Sequence, residues 1–240
     1  MNKPFPICVL ILFLTAPSQS EQLVAARACE LEPVESALTY HTPEYYPNIR
    51  KVLFSKVEGS AQFQFLSLPS FSPEYLLSVS EDSDGNYYGQ TLSPEKQIWS
   101  FSGDVTNIVV TSKTKKLPKN IAKRAHAVWE SMLIRTRYQG RNVILDGVGY
   151  IFLCHVKIKN GYEPTLTGES SNPEEGTRPK ALAKIAGRLT RYVCCPKEEE
   201  PTVEREILDL LSQLETSLKE TKESNQASQA IGASAPQPGR

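Results

Sequence analysis

Few residues in this chain are suited to reaction chemistry. Its histidines are His41, His126 and His155. His126 and Glu130 stand four apart, so a helix would place both on one face as half of a metal site, but no H-E-x-x-H pattern completes it. The plainer reading is a helix-surface hydrogen bond. His155 follows Cys154, yet neighbours in a strand point to opposite faces and cannot act together from that strand alone. Asp146 could serve as an acid or base, while Asp-Gly at a turn accounts for it through backbone geometry. In the cluster of Arg135, Arg137 and Tyr138, with Arg141 beyond, the arginine guanidiniums could bind a carboxylate or phosphate, or could complement a helix dipole. No Gly-x-Ser-x-Gly elbow, Gly-rich phosphate loop or Cys-x-x-Cys pair is present. No catalytic residue, metal ligand or cofactor is therefore assigned.

What the cysteines can do depends on the compartment, and the N-terminus addresses that. Lys3 precedes an apolar run, Phe5 to Leu14, and then Thr15-Ala16-Pro17-Ser18-Gln19-Ser20. A basic start, a short apolar stretch and small residues make a secretory signal, residues 1–20, with cleavage expected between Ser18 and Glu21. An uncleaved anchor would need about 20 apolar residues, and the run is about half that. The mature chain is expected to be periplasmic or secreted, without further membrane association. There Cys29, Cys154, Cys194 and Cys195 could form disulfides. Four cysteines allow three pairings, and Cys154 as a buried free thiol stays open beside them.

The elements that would position these groups follow from periodicity. After an irregular opening from Glu21 to Ile49, strand-like pieces run over Ala61–Leu68, Tyr75–Ser80, Tyr87–Leu92, Gln97–Ser102 and Asn107–Ser112. Pro118 opens a helix to about Arg137 that carries Ile121, Ala125, Val128, Trp129, Met132 and Leu133 at helical spacing. Asp146-Gly147 predicts a hairpin joining Val143-Ile144-Leu145 to a strand over Val148–Ile158, apolar on both faces and therefore central. Thr165–Thr177 reads as a polar loop, and a second helix spans Pro179–Val193. The expected fold is α+β, an antiparallel sheet with two helices over one face, in a domain spanning residues 21–196.

Residues 197–223 form a separate amphipathic helix, its core Val203 to about Lys222, with Ile207, Leu211, Leu214 and Leu218 in a stripe. The stripe must bury itself on its own domain, on a second copy or on a protein partner. Residues 224–240, rich in Ser, Gln, Ala and Pro, are expected to be disordered. With 27 basic and 27 acidic residues, bulk charge draws the chain toward neither nucleic acid nor an anionic membrane.

Trp129-Glu130-Ser131-Met132-Leu133 with Thr136-Arg137-Tyr138, then Leu145-Asp146-Gly147-Val148-Gly149-Tyr150-Ile151-Phe152, then Leu182 to Tyr192, resembles a set of uncharacterised small exported bacterial proteins. The resemblance covers about Trp129 to Val193 and implies a fold without an assigned activity, so it supplies no site residues. The reading that results is an exported, non-catalytic protein that binds a protein or a small ligand. Its alternatives are a hydrolase using Asp146, His126 or the Arg135-Arg137-Tyr138 group, and an envelope-assembly component acting through the C-terminal helix.

Overall fold

The computed structural model describes residues 30–34, 44–138, 147–156 and 164–232, of which 221–232 are backbone only. Helix α1 spans Tyr45–Val52, followed by strands β1 (Ala61–Pro69), β2 (Tyr75–Glu81), β3 (Tyr87–Pro94) and β4 (Val110–Leu117). Helix α2 (Lys119–Leu133) leads to β5 (Val148–His155) and β6 (Thr165–Ser171), and the chain continues through α3 (Arg178–Cys194) and α4 (Glu200–Gly232). The strands form one antiparallel sheet in the order β4-β3-β2-β1-β5-β6. The fold is α+β.

Both faces of the sheet are covered, which explains why β1, β2 and β5 carry apolar residues at successive positions rather than only at alternate ones. Phe63, Phe65, Leu77, Val79 and Phe152 pack under α2, α3 and α4. Leu66, Leu76, Leu92, Ile151 and Leu153 pack on the opposite face, under α1 and the buried side chains of Ile98, Val105 and Ile108. Trp129 anchors the first layer, its ring centroid 4.9 Å from Phe63 and 5.8 Å from Phe152. Its indole N–H donates to the Gln64 carbonyl at 3.2 Å, so the largest core side chain leaves no buried donor unsatisfied.

Several expectations are corrected. The opening segment is not irregular throughout: Tyr45, Ile49 and Val52 share the buried face of α1, and Pro47 sits in its first turn, where a missing N–H is tolerated. Gln97–Ser102 is not a strand but a bend. The strand expected at Asn107–Ser112 begins at Val110, after a short helical turn at Val105–Asn107. Helix α2 stops at Leu133, short of Arg137, because the chain turns there to let the Arg137 N–H donate to the Leu31 carbonyl at 3.0 Å.

Val143-Ile144-Leu145 and Asp146, expected as a hairpin before β5, lie outside the described residues; β5 pairs with β1 along one edge and β6 along the other. The segment expected as a polar loop supplies that second partner, as β6. Gly147 instead fastens the start of β5 to the end of β1: its N–H donates to Ser70 Oγ at 3.0 Å and its carbonyl accepts the Ser70 N–H at 2.9 Å. Its φ of +139° and the Asn172 side chain, which occupies the place where a Cβ would stand, admit only glycine.

The C-terminal helix is a layer of the domain. Val203, Ile207, Leu211, Leu214 and Leu218 are buried in the same core as α2 and α3. Arg124 of α2 clamps Glu215 through two bonds of 2.9 Å, and Lys115 of β4 reaches Glu200 at 3.1 Å. Helical backbone continues to Gly232, past the end expected near Lys222, because no helix breaker stands in Ser224–Ile231.

Candidate functional site

Arg135, Arg137 and Tyr138 follow α2, and the structure turns the two arginines to internal use. Arg135 donates to the Leu218 carbonyl at 3.2 Å, tying the end of α2 to α4. Arg137 Nη2 lies 3.8 Å from Glu30 Oε1, and Arg178 Nη1 reaches the same oxygen at 3.4 Å. Arg178 also donates to the Ser217 hydroxyl at 2.9 Å and to the Ser217 carbonyl. Burial pushes the Glu30 carboxyl above its usual range, against the pull of Arg178, Arg137 and Arg135. The cluster therefore joins the 30–34 segment, α2, α3 and α4; of the three sequence candidates, Tyr138 is 70 % exposed and the Arg137 side chain 61 %.

The other candidates do not converge with it. His126 stacks on Phe63 with centroids 6.1 Å apart and its buried Nε2 has no hydrogen-bond partner among the described residues, while His155 Nδ1 meets Thr165 Oγ1 at 3.0 Å on the sheet. Asp146, His41 and Cys29 lie outside the described residues. Among the described residues Cys154, Cys194 and Cys195 form no disulfide with one another. Burial, with a smaller push from Glu130, raises the Cys154 thiol to about 12, so it stays protonated and non-nucleophilic near neutrality. The adjacent pair faces two ways, Cys194 Sγ toward Thr91 Oγ1 at 3.5 Å and Cys195 Sγ toward the Tyr192 carbonyl at 3.3 Å. Among the described residues no group of three His, Cys, Asp or Glu side chains could hold a metal ion.

Sequence reasoning missed the surface at the β1–β2 end of the sheet. Two loops meet there, Ser70–Glu74 between β1 and β2 and Glu95–Phe101 after β3. Gln97 Nε2 donates to the carbonyls of Ser70 and Ser72 at 3.1 and 3.2 Å. The fully buried Glu74 carboxylate accepts the Tyr45 hydroxyl at 2.8 Å, the Ile98 N–H at 2.9 Å and the Trp99 N–H at 3.2 Å. Three donors compensate the desolvation of that carboxylate, and burial together with Glu74 drives the Tyr45 hydroxyl far above its usual range. On this pinned base Phe71 is 83 % exposed and Trp99 51 %. Aromatics set among turn-forming residues, in Ser70-Phe71-Ser72-Pro73 and Trp99-Ser100-Phe101-Ser102, were the signal available in the sequence.

No protein-family model, curated protein or solved structure matches the chain.

Proposed function

We propose that this chain is an exported, non-catalytic protein that binds another protein through the paired loops 70–74 and 95–101. The observation that carries the reading is a pair of solvent-facing aromatic side chains, Phe71 and Trp99, on loops fixed by Gln97 and the buried Glu74. The surface around them has the composition of a contact core, with aromatics among Ser, Pro and Gln and without charge from Pro69 to Pro73 or from Gln97 to Gly103. Exposed Glu95, Lys96 and Asp104 provide a charged rim. Loops already ordered lose little conformational freedom on binding. The non-catalytic part is supported by the scatter of His126, His155 and the Arg135–Arg137 group, which share no hydrogen-bond partner with one another among the described residues. Export is supported by the order of residues 1–20.

The test places a photo-reactive amino acid at Phe71 in cells. The expected adduct with a single protein is competed away by excess wild type and not by Phe71→Ser/Trp99→Ser. Since both side chains already face water, that double variant should keep the wild-type melting temperature within about 2 °C. Competition by the double variant as strong as by wild type would remove the binding reading. A cytosolic protein beginning at Met1 would remove export.

A further inference from the structure

The two edges of the sheet are treated differently. Beyond β6 the chain's own segment Glu30–Val34 adds to the edge, Glu32 and Glu169 exchanging backbone hydrogen bonds of 2.9 and 2.7 Å. Beyond β4 no described strand follows. Which backbone groups that edge offers can be worked out from the pairing. The Glu95 N–H donates to the Val109 carbonyl at 2.9 Å, one step beyond the Pro94↔Val110 pair. Hydrogen-bonded and non-bonded pairs alternate in an antiparallel ladder, so Thr111, Lys113, Lys115 and Leu117 bond to β3. The N–H and C=O groups of Ser112, Thr114 and Lys116 point outward.

The same stretch carries concentrated charge in a molecule that is otherwise balanced. From Thr111 to Arg124 the chain holds Lys113, Lys115, Lys116, Lys119, Lys123 and Arg124 and no acidic residue. Lys115 and Arg124 are committed to Glu200 and Glu215. Lys113, Lys116, Lys119 and Lys123 are exposed and form no ion pair among the described residues.

We propose that the β4 edge docks an extended, acidic segment of a partner protein, which adds to the sheet as a further strand. Its main chain pairs with Ser112, Thr114 and Lys116, and its carboxylates meet Lys113 and Lys116 and continue toward Lys119 and Lys123. Lysines on an open edge also deter self-association, since two copies of a basic edge repel; an acidic strand is the occupant that repulsion does not exclude. A nucleic acid would answer the charge but not the outward row of backbone donors and acceptors, which repeats at the two-residue spacing of a polypeptide strand. This site stands apart from Phe71 and Trp99 and does not depend on them.

The experiment titrates the full chain into a fluorescein-labelled octapeptide of Glu, Thr and Val. Binding should weaken at least about fivefold as ionic strength rises from roughly 0.05 to 0.3 M. Lys113→Ser/Lys116→Ser should weaken it about fivefold, and Thr114→Pro should do the same by removing one outward N–H, a change an edge strand tolerates. Hydrogen exchange on the wild type reads the contact without substitution: saturating peptide should slow the amides of Ser112, Thr114 and Lys116. Absence of peptide binding, unchanged exchange at those amides, full affinity in a folded Thr114→Pro protein, or equal binding of a DNA duplex would each overturn strand docking.

Discussion

Ending the chain after Glu199 should destroy the fold rather than trim an appendage. The cut removes Val203, Ile207, Leu211, Leu214 and Leu218, which range from 0 to 7 % exposed. Burying one such side chain is worth about 1.5–3 kcal/mol, so the five together contribute about 7–15 kcal/mol as an upper figure. A whole domain is stable by about 5–15 kcal/mol. The cut also strips Arg178 of its bonds to Ser217, Arg124 of Glu215 and Arg135 of the Leu218 carbonyl. The expected product has no cooperative unfolding transition in urea, a weak near-ultraviolet circular dichroism signal and strong binding of a hydrophobic dye. Leu211→Ala grades the same effect, costing about 2–5 kcal/mol and lowering the melting temperature by roughly 4–20 °C. A truncated chain that unfolds cooperatively within about 1 kcal/mol of the full-length protein would refute the argument, because a helix carrying that much of the core cannot be absent at so small a cost.

Gly147→Ala should destabilise the protein by about 2 kcal/mol or more, since a Cβ at φ +139° would run into Asn172; a denaturation midpoint equal to wild type would contradict that geometry. In the native protein at pH 8, iodoacetamide should modify exposed Cys194 and spare Cys154, whose thiol at about 12 is roughly one part in ten thousand thiolate. Peptide mapping that finds Cys154 alkylated as fast as Cys194 would show the site to be open. Because the fold raises the Glu30 carboxyl above its ordinary value of 4.5, the native state holds a proton that the unfolded chain releases. Its contribution is then full below that value and is lost as pH rises through the folded one. Urea midpoints measured upward from pH 4 should show this decline in wild type and not in Glu30→Gln, and identical profiles would exclude it.

The elements that could be read from the chain are those whose pattern and packing agree. Phe63 and Phe65 in β1, the stripe from Ile121 to Met132 and the stripe from Leu182 to Val193 each announce a face, and each buries it. β6 was hidden because Thr165–Ser171 is polar and lies near an edge, so its strand character comes from pairing with β5 rather than from apolar alternation. Gln97–Ser102 misled in the opposite direction: its apolar residues imitate a strand, yet the Glu74 carboxylate, far away in sequence, holds Ile98 and Trp99 in a bend. The arginines after α2 were recognisable as a charged group, but their partners Glu30 and the Leu218 carbonyl could be found only once four segments had met. Phe71 and Trp99 stood out as aromatics among turn-forming residues, but their exposure was not legible, because an aromatic residue in sequence looks the same whether it is buried or exposed.

The position of β1 in the sheet also imposes an order of assembly. β1 to β3 are joined by short connections and β4 follows after one longer loop, so these strands can zip up as each is made, whereas the second flank of β1 belongs to β5, and Phe63 waits for Cys154 across a long stretch of chain. Joining such distant strands is the slow part of folding. Until it happens, a nascent chain carrying only its first half presents a bare apolar strand, the kind of species that aggregates unless a chaperone holds it.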